Sequence, residues 1–261
     1  MKEGKLYVGT SGWMYKDWEK TFYPENMKKG FLTYLAGEFN TVEVNNSFYH
    51  LPTLETFKKW YSETPDHFLF AVKLSRFITH LRKLKDTRQS LERFLNNAMG
   101  LDKKLGIILI QLPPALKFEE ELLENFFSEL NEVTTALPCR PRIALETRNK
   151  SFVENREDLF KILKRHRITL VFAHSSEIPS FPPENENILS DFIYARFHGP
   201  FEFASSRYGK ELLIPWAEKM VRWLTNSLDV FAYFNNDQHG YAIQDARDLK
   251  ECCKMVTSYE L

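Results

Sequence analysis

The strongest constraint on this chain is a regular alternation of two hydrophobic patterns. Eight short runs rich in β-branched and aromatic residues are each five or six residues long, which is typical of strands. These runs are residues 6–10, 41–45, 68–73, 106–111, 142–146, 169–173, 192–197 and 230–234. Most segments between them repeat apolar residues with the spacing of an amphipathic helix, as at Leu91, Phe94 and Leu95. Strands alternating with helices predict parallel βαβ units, and eight such units close a (β/α)8 TIM barrel of the α/β class.

The length agrees with one such barrel. A (β/α)8 domain commonly takes roughly 250 residues, and the chain has 261. No linker or shift in composition interrupts it, so we expect a single domain over residues 1–261. The exception to the alternation is residues 175–191, which are rich in Pro, Ser, Glu and Asn. We therefore predict an irregular sixth βα unit, with at most a short helix near residues 184–189.

Polar residues recur late in the predicted strands, where barrel enzymes carry their sites. Three strands end in pairs spaced by two, and side chains spaced by two share one face of a strand. These pairs are Glu43 with Asn45, Glu146 with Arg148, and Arg196 with His198. Further polar ends are Lys73, Gln111, Asn235 and Asn236. Because the alternate residues are apolar, we expect the polar set to converge at the C-terminal mouth of the barrel.

The charged members of this set are three cations and two carboxylates. The local charge is +1, from the cations Lys73, Arg148 and Arg196 and the carboxylates Glu43 and Glu146. A slightly positive pocket with amide donors suits a carboxylate or phosphate ligand. The alternative is a salt-bridge network that only closes the top of the barrel.

The roles predicted for these residues follow from their chemistry. Glu43, Glu146 and His198 are candidate acid–base catalysts. The candidate substrate-binding residues are Lys73, Arg148, Arg196, Asn45, Gln111, Asn235, Asn236, Trp13 and Tyr49. Trp13 lies in an aromatic loop after the first strand, which is either a stacking lid over a planar ligand or a plug of rings at the barrel mouth.

Several function classes are disfavoured. The chain has 35 basic and 35 acidic residues, so its net charge is zero, and a broad polyanion-binding surface is not expected. No phosphate-binding or dinucleotide-binding glycine motif is present, so the cofactor stays unknown and redox chemistry is disfavoured. Glu43, Glu146, His174, His198 and His239 could bind a metal ion, but they lack a recognisable ligand spacing, and no metal site is predicted.

The sequence also carries signals about location. Three cysteines without a disulfide pattern, no apolar leader segment and no long apolar run together predict a cytoplasmic protein without a membrane partner.

A set of motifs, in order along nearly the whole chain, is similar to the YecE-like family of bacterial and archaeal proteins. The motifs are Gly9-Thr10-Ser11-Gly12-Trp13, Phe22-Tyr23-Pro24, Thr41-Val42-Glu43-Val44-Asn45 with Phe48-Tyr49, Phe70-Ala71-Val72-Lys73 with Thr79-His80, Leu105-Gly106, Gln111-Leu112-Pro113-Pro114, Glu146-x-Arg148, Arg196-x-His198-Gly199 and Tyr233-Phe234-Asn235-Asn236. The resemblance implies a TIM barrel and implies no particular activity. The chain departs from the family pattern at Thr147, Asn149, Phe152 and His174.

Three hypotheses of function remain. The first is an enzyme that acts on a small anionic metabolite, such as a sugar phosphate, a nucleotide or a carboxylate, by isomerase, lyase or hydrolase chemistry. The second is a metal-dependent nucleic-acid processing enzyme, which the zero net charge disfavours. The third is a non-catalytic module that binds a ligand at the same residues. The oligomeric state is not predicted.

Overall fold

The computed structural model describes residues 3–19 and 21–259. Eight strands follow one another along the chain. They are β1 (Leu6–Thr10), β2 (Thr41–Val44), β3 (Leu69–Lys73), β4 (Leu105–Gln111), β5 (Arg142–Glu146), β6 (Ile168–His174), β7 (Phe192–Phe197) and β8 (Asp229–Phe234). All eight coincide with the runs predicted from the sequence.

The α-helices lie between the strands and after the last one. They are α1 (Phe31–Glu38), α2 (Asn46–Tyr49), α3 (Leu54–Ser62), α4 (Arg88–Ala98), α5 (Glu120–Thr135), α6 (Ser151–Glu154), α7 (Arg156–His166), α8 (Gly209–Thr225) and α9 (Tyr241–Tyr259). Between β6 and β7 the described chain forms only a short 3-10 helix, Asn185–Asn187. The predicted irregular sixth unit is thus confirmed.

The strands form one parallel sheet in the order β1-β8-β7-β6-β5-β4-β3-β2. Ser11, the residue after β1, forms a parallel bridge with Glu43 on β2, so the end of β1 also pairs with β2. This succession is that of a (β/α)8 barrel, so the predicted fold class is confirmed. β1 and β2 come close together at Gly9, where a Cβ atom would lie 2.1 Å from the carbonyl oxygen of Thr41.

The described residues group into two compact units. Unit 1 contains the residues up to Glu43, Phe172–Ile178 and the residues from Asp191 onward. Unit 2 contains Val44–Val171 and Pro179–Ser190. The expectation of a single domain over residues 1–261 stays a prediction.

Packing in each unit follows the apolar periodicity of the sequence. In unit 2, Leu91, Phe94, Leu95 and Ala98 form one face of α4, and all four are fully buried. In the middle of β4, Ile108, Leu109 and Ile110 are fully buried and point alternately to the two faces of the sheet. This is expected for a strand inside a parallel α/β sheet. In unit 1, α9 packs against β1 and β8, and α8 packs against β8 and α9. No helix in the described part of the chain is long and apolar enough to span a bilayer.

Candidate active site

In unit 1, the carboxylate of Glu43 accepts four hydrogen bonds, two of them from the predicted residue Arg196. Glu43 on β2 is 0% exposed, and Arg196 on β7 is 1% exposed. Arg196 donates to both carboxylate oxygens, from Nε to Oε2 at 3.0 Å and from Nη2 to Oε1 at 2.7 Å. Tyr194 OH donates to Oε2 at 2.6 Å, and Ser11 Oγ donates to Oε1 at 2.8 Å. We call Ser11, Glu43, Tyr194 and Arg196 the Glu43 cluster.

The spacing of the strand explains this pairing. Tyr194 and Arg196 are two residues apart on β7, so their side chains share a face. Each oxygen of Glu43 accepts two hydrogen bonds, which stabilise the charged carboxylate. Since a buried ion pair of this kind is costly to break, the Glu43 cluster holds its strands in a fixed arrangement. The predicted pairing of charges is present, while the predicted proton-transfer role of Glu43 stays a prediction.

A second carboxyl group of unit 1 has a different character. Asp237 follows β8, and its Oδ1 atom is buried and makes no hydrogen bond to a described residue. Burial raises the pKa of Asp237 to about 8; the nearby Tyr15 hydroxyl and Arg196 lower it in part, and the negative charge of Glu43 raises it further. Asp237 therefore holds a proton at neutral pH and can act as an acid.

Tyr15 lies beside this carboxyl group. Its hydroxyl donates to the carbonyl oxygen of Ser11. Burial raises the pKa of Tyr15, and the charges of Asp237 and Glu43 raise it further. The phenol is therefore neutral, as a proton donor to a neighbouring acceptor must be.

The remaining predicted residues of unit 1 stabilise the loops after β7 and β8. His198 is 0% exposed, its Nδ1 lies 3.0 Å from Asn235 Nδ2, and its ring stacks on Phe203 at 5.3 Å. Asn236 Nδ2 donates to Asp245 Oδ2 at 2.8 Å. Asp245 also accepts from the main-chain N–H groups of residues 208 and 209 at the start of α8.

The aromatic loop after β1 is a packed group of rings. Trp13 is 9% exposed, and its carbonyl accepts from Tyr23 OH at 2.5 Å. Trp18, Phe22 and Tyr23 are buried and contact one another with ring centroids 4.7–6.2 Å apart. This packing matches the alternative of a plug of rings. The predicted role of Trp13 in substrate binding stays a prediction.

In unit 2, the predicted residues align through strand register. Lys73 on β3 pairs with Leu109 on β4, and Gln111, two residues further along β4, pairs with Glu146 on β5. Residues in register share a face, so Lys73, Gln111 and Glu146 point to the same side of the sheet. Arg148 lies just beyond β5, and its Nε donates to Glu146 Oε1 at 2.7 Å.

His80 lies near the cations of this unit, although it was not predicted as a site residue. Its ring meets the Phe48 ring edge-on at 4.8 Å, and Lys73 Nζ lies 4.1 Å from the centroid of the same ring. Burial, together with the charges of Lys73, Arg76 and Arg148, lowers the pKa of His80 to about 4. The imidazole is therefore neutral at pH 7 and lies in a positive potential. We call Lys73, Arg76, His80 and Arg148 the His80 cluster.

The hydrogen bonds of His80 favour one tautomer. Thr79 Oγ1 donates to the carbonyl oxygen of Ser75 at 3.2 Å, because a carbonyl only accepts. Thr79 Oγ1 also lies 2.8 Å from His80 Nδ1. The hydroxyl has one proton, so when that proton is on the Ser75 carbonyl, Nδ1 of His80 donates to Thr79. In that tautomer Nε2 of His80 is unprotonated and able to accept a hydrogen bond.

Two predicted residues of unit 2 lie near the surface. Asn45 is half-buried, and its Oδ1 atom is buried without a hydrogen bond to a described residue. Tyr49 at the end of α2 is 69% exposed and meets Phe48 edge-on at 5.0 Å.

The structure therefore places the predicted residues in two groups, one in each unit. In unit 1, Glu43 contacts Arg196, and Asn235 contacts His198. In unit 2, Glu146 contacts Arg148. No group of three or more His, Cys, Asp or Glu residues suited to a metal ion occurs within residues 3–19 and 21–259. Convergence of all predicted residues at one mouth stays a prediction.

Comparison with known proteins gives the same fold and a family. The profile of the family described as "Protein of unknown function DUF72" matches residues 7–258. The UPF0759 protein YecE of Escherichia coli is 24% identical over 237 residues, covering 84% of this chain and 82% of that protein. The UPF0759 protein YunF of Bacillus subtilis is 24% identical over 271 residues and covers 94% of both chains.

Solved structures agree with this assignment. A DUF72 protein of Thermotoga maritima has a TM-score of 0.80 and 28% identity, covering 96% of this chain and 99% of that chain. A family 10 endo-β-1,4-xylanase is similar in fold alone, with a TM-score of 0.55, 9% identity, and coverage of 95% of this chain and 96% of that chain. Because the family profile spans nearly the whole sequence, the chain belongs to the DUF72 family.

Proposed function

We propose that this protein is an enzyme that acts on a small anionic metabolite by proton transfer, and that the His80 cluster binds the anion. The observation that carries the proposal is that Lys73 Nζ and the His80 ring both contact the Phe48 ring, at 4.1 and 4.8 Å from its centroid. The charges of Lys73, Arg76 and Arg148 also lower the pKa of His80. Arg148 pairs with the Glu146 carboxylate at 2.7 Å, and a ligand anion beside Lys73, Arg76 and Arg148 would add to this compensation of positive charge. Positive side chains in a structured loop are a common way to bind phosphate or carboxylate.

The accessibility of these cations supports binding from solvent. The Arg148 side chain is 18% exposed while Glu146 is 1% exposed, so the cation reaches the surface and the carboxylate stays behind it. Lys73 is half-buried and Arg76 is exposed. A ligand anion can therefore contact the cations directly.

Two groups of unit 2 are suited to act on a bound substrate. Glu146 is held by Arg148 at 2.7 Å and lies in register with Gln111, which fixes its position. His80 is neutral at pH 7, so its ring can exchange hydrogen bonds with a ligand without carrying a charge. In this proposal Glu146 serves as the general base, His80 forms a hydrogen bond with the substrate, and Gln111 orients the substrate. Glu43 keeps a positioning role, because four hydrogen bonds already saturate its carboxylate.

Binding of ribose 5-phosphate, measured by isothermal titration calorimetry, tests the proposal. We expect Lys73→Met and Arg148→Gln each to weaken binding by about 10- to 100-fold, the effect of losing a hydrogen bond to a charged group. Lys150→Met is the matched control, since Lys150 lies on the solvent side and pairs only with the exposed Glu154 among the described residues.

The outcomes separate the remaining alternatives. Equal affinity in the wild type, Lys73→Met and Arg148→Gln would contradict the proposal, as would the absence of any binding. Tight binding without turnover of any phosphorylated or carboxylated metabolite would favour the non-catalytic module.

A further inference from the structure

A cavity of about 550 Å³ opens in unit 2 beside the His80 cluster. It lies between the end of α2, the segment after β3, and α4. Its lining includes Tyr49, His50, Ser75, Phe77 and Arg93. We call it the ring cavity. Its volume is within the roughly 300–1,000 Å³ range of small-molecule sites.

Two aromatic side chains of the ring cavity face solvent. Tyr49 is 69% exposed and Phe77 is 47% exposed. Burial of an aromatic ring contributes more favourable free energy than burial of most side chains. Two exposed rings on one cavity are therefore a costly arrangement without a ligand. Their faces can stack on a planar ring.

The ring cavity also carries positive charge. Arg93 on α4 lines the cavity and is exposed. Nearby, Arg82 lies with its guanidinium carbon 6.0 Å from the centroid of Phe77 and with Nη2 3.9 Å from Asp86 Oδ2. The Arg93 guanidinium favours a ligand that combines a ring with an anion.

The backbone after β3 is unusual at this place. Phe77–Leu81 forms a π-helix, a wide turn that is rare and often occurs at functional sites. Lys83, Leu84 and Asp86 follow it with φ angles of 49°, 69° and 50°. Non-glycine residues seldom adopt positive φ, and such strain tends to occur where a loop presents side chains to a ligand.

The ring cavity and the His80 cluster adjoin through Phe48. The Phe48 ring contacts Tyr49 of the cavity at 5.0 Å, and it contacts His80 at 4.8 Å and Lys73 at 4.1 Å. Ser75, which lines the cavity, lies two residues after Lys73. The Phe48 ring therefore joins the ring cavity to the His80 cluster.

We infer that the ring cavity binds the planar base of a nucleoside monophosphate, with the base against Tyr49 and Phe77 and the phosphate on the His80 cluster. This inference rests on the proposed function for the phosphate and goes beyond it for the base. It names the substrate class as a ring-bearing phosphate rather than a simple sugar phosphate or a carboxylate.

Calorimetric titration with adenosine 5′-monophosphate and with ribose 5-phosphate tests the inference, because the two ligands differ by the base. We expect the nucleotide to bind at least about 10-fold more tightly than ribose 5-phosphate, because stacking of one base on an aromatic side chain provides that much affinity. Phe77→Ala and Tyr49→Ala should each remove most of this advantage and leave the affinity for ribose 5-phosphate unchanged. Both rings are exposed, so neither variant should disturb folding. Phe201→Ala, which removes a ring that is 75% exposed in unit 1, is the control.

Each outcome addresses one of the two proposals. Ribose 5-phosphate binding through Lys73 and Arg148, with no gain for the nucleotide, would overturn the inference and keep the proposed function. Nucleotide binding that depends on Phe77 but not on Lys73 or Arg148 would keep the ring cavity and overturn the proposed function. Binding of neither ligand would overturn both.

Discussion

Replacement of Asp237 by Asn should change the pH dependence of stability. The pKa of Asp237 is raised from 3.8 to about 8 by burial. In the unfolded chain this carboxyl group ionises near pH 4, whereas in the folded protein it keeps its proton up to about pH 8. The folded state therefore binds more protons than the unfolded state across this window, and its stability falls as the pH rises.

The magnitude follows from the shift. About four pH units separate the two pKa values, and each corresponds to about 1.4 kcal/mol, so the full effect is at most about 6 kcal/mol. Asp237 keeps some exposure, which makes this figure an upper limit. It is a large fraction of the roughly 5–15 kcal/mol that stabilises a typical domain.

Urea unfolding of the wild type and Asp237→Asn between pH 4 and pH 8.5 measures this effect. Asn mimics the neutral carboxyl group, so the two proteins should have similar free energies of unfolding near pH 4. The variant should become the more stable protein by several kcal/mol at pH 8.5. Asp66→Asn, which removes a carboxylate that is 87% exposed, is the control. A difference between wild type and Asp237→Asn that does not change with pH would refute the reasoning.

Three further predictions concern buried contacts. Arg196→Met should lower the free energy of unfolding, measured by urea denaturation, by about 3–5 kcal/mol, because it leaves a buried charge on Glu43. Adding Glu43→Gln should recover part of this loss, and no recovery would contradict the ion pair as the cause. Lys104→Met should cost about 2–3 kcal/mol, since Lys104 is 2% exposed and its Nζ donates to two main-chain carbonyls at 2.7 Å; an unchanged unfolding midpoint would contradict this. Gly9→Ala should cost about 3 kcal/mol or more, because its Cβ would overlap the Thr41 carbonyl; an unchanged melting temperature would show that β1 and β2 are not in such close approach.

The fold was predictable because barrel strands and helices leave strong periodic patterns. Strands such as β4 are apolar on both faces, and helices such as α4 have one apolar face. The interruption between β6 and β7 was also visible, since Pro and Asn in residues 175–191 disfavour a regular helix. The π-helix Phe77–Leu81 was not predicted, because a single wide turn leaves no periodic signal.

The candidate site was predictable in part. The spacing by two residues correctly paired Glu146 with Arg148 on one strand end, and the polar ends identified Glu43 and Arg196. The sequence could not show that Glu43 is saturated by four hydrogen bonds, because Tyr194 and Ser11 join it from distant positions in the chain.

The pKa shifts of His80 and Asp237 could not be predicted from the sequence. A side chain's pKa depends on its burial and on the charges around it. The sequence gives only the residue types: Asp237 reads as the end of a polar triplet, and His80 reads as a residue of a loop. One signal was available for His80, since it follows the polar end of β3 by seven residues and lies in a motif shared with the family.

The pKa of His80, with and without a bound anion, tests the central claim most directly. Imidazole resonances from NMR, assigned with His80→Gln, would be followed against pH in the absence and presence of saturating sulfate, whose charge is constant over the titration. We expect a pKa of about 4 for His80 in the free protein. Sulfate should raise it, because a bound anion offsets the charges of Lys73, Arg76 and Arg148. Lys73→Met should raise the pKa of the free protein and reduce the response to sulfate. A His80 that titrates near its ordinary value of about 6.5, with no change on adding sulfate, would contradict the anion site.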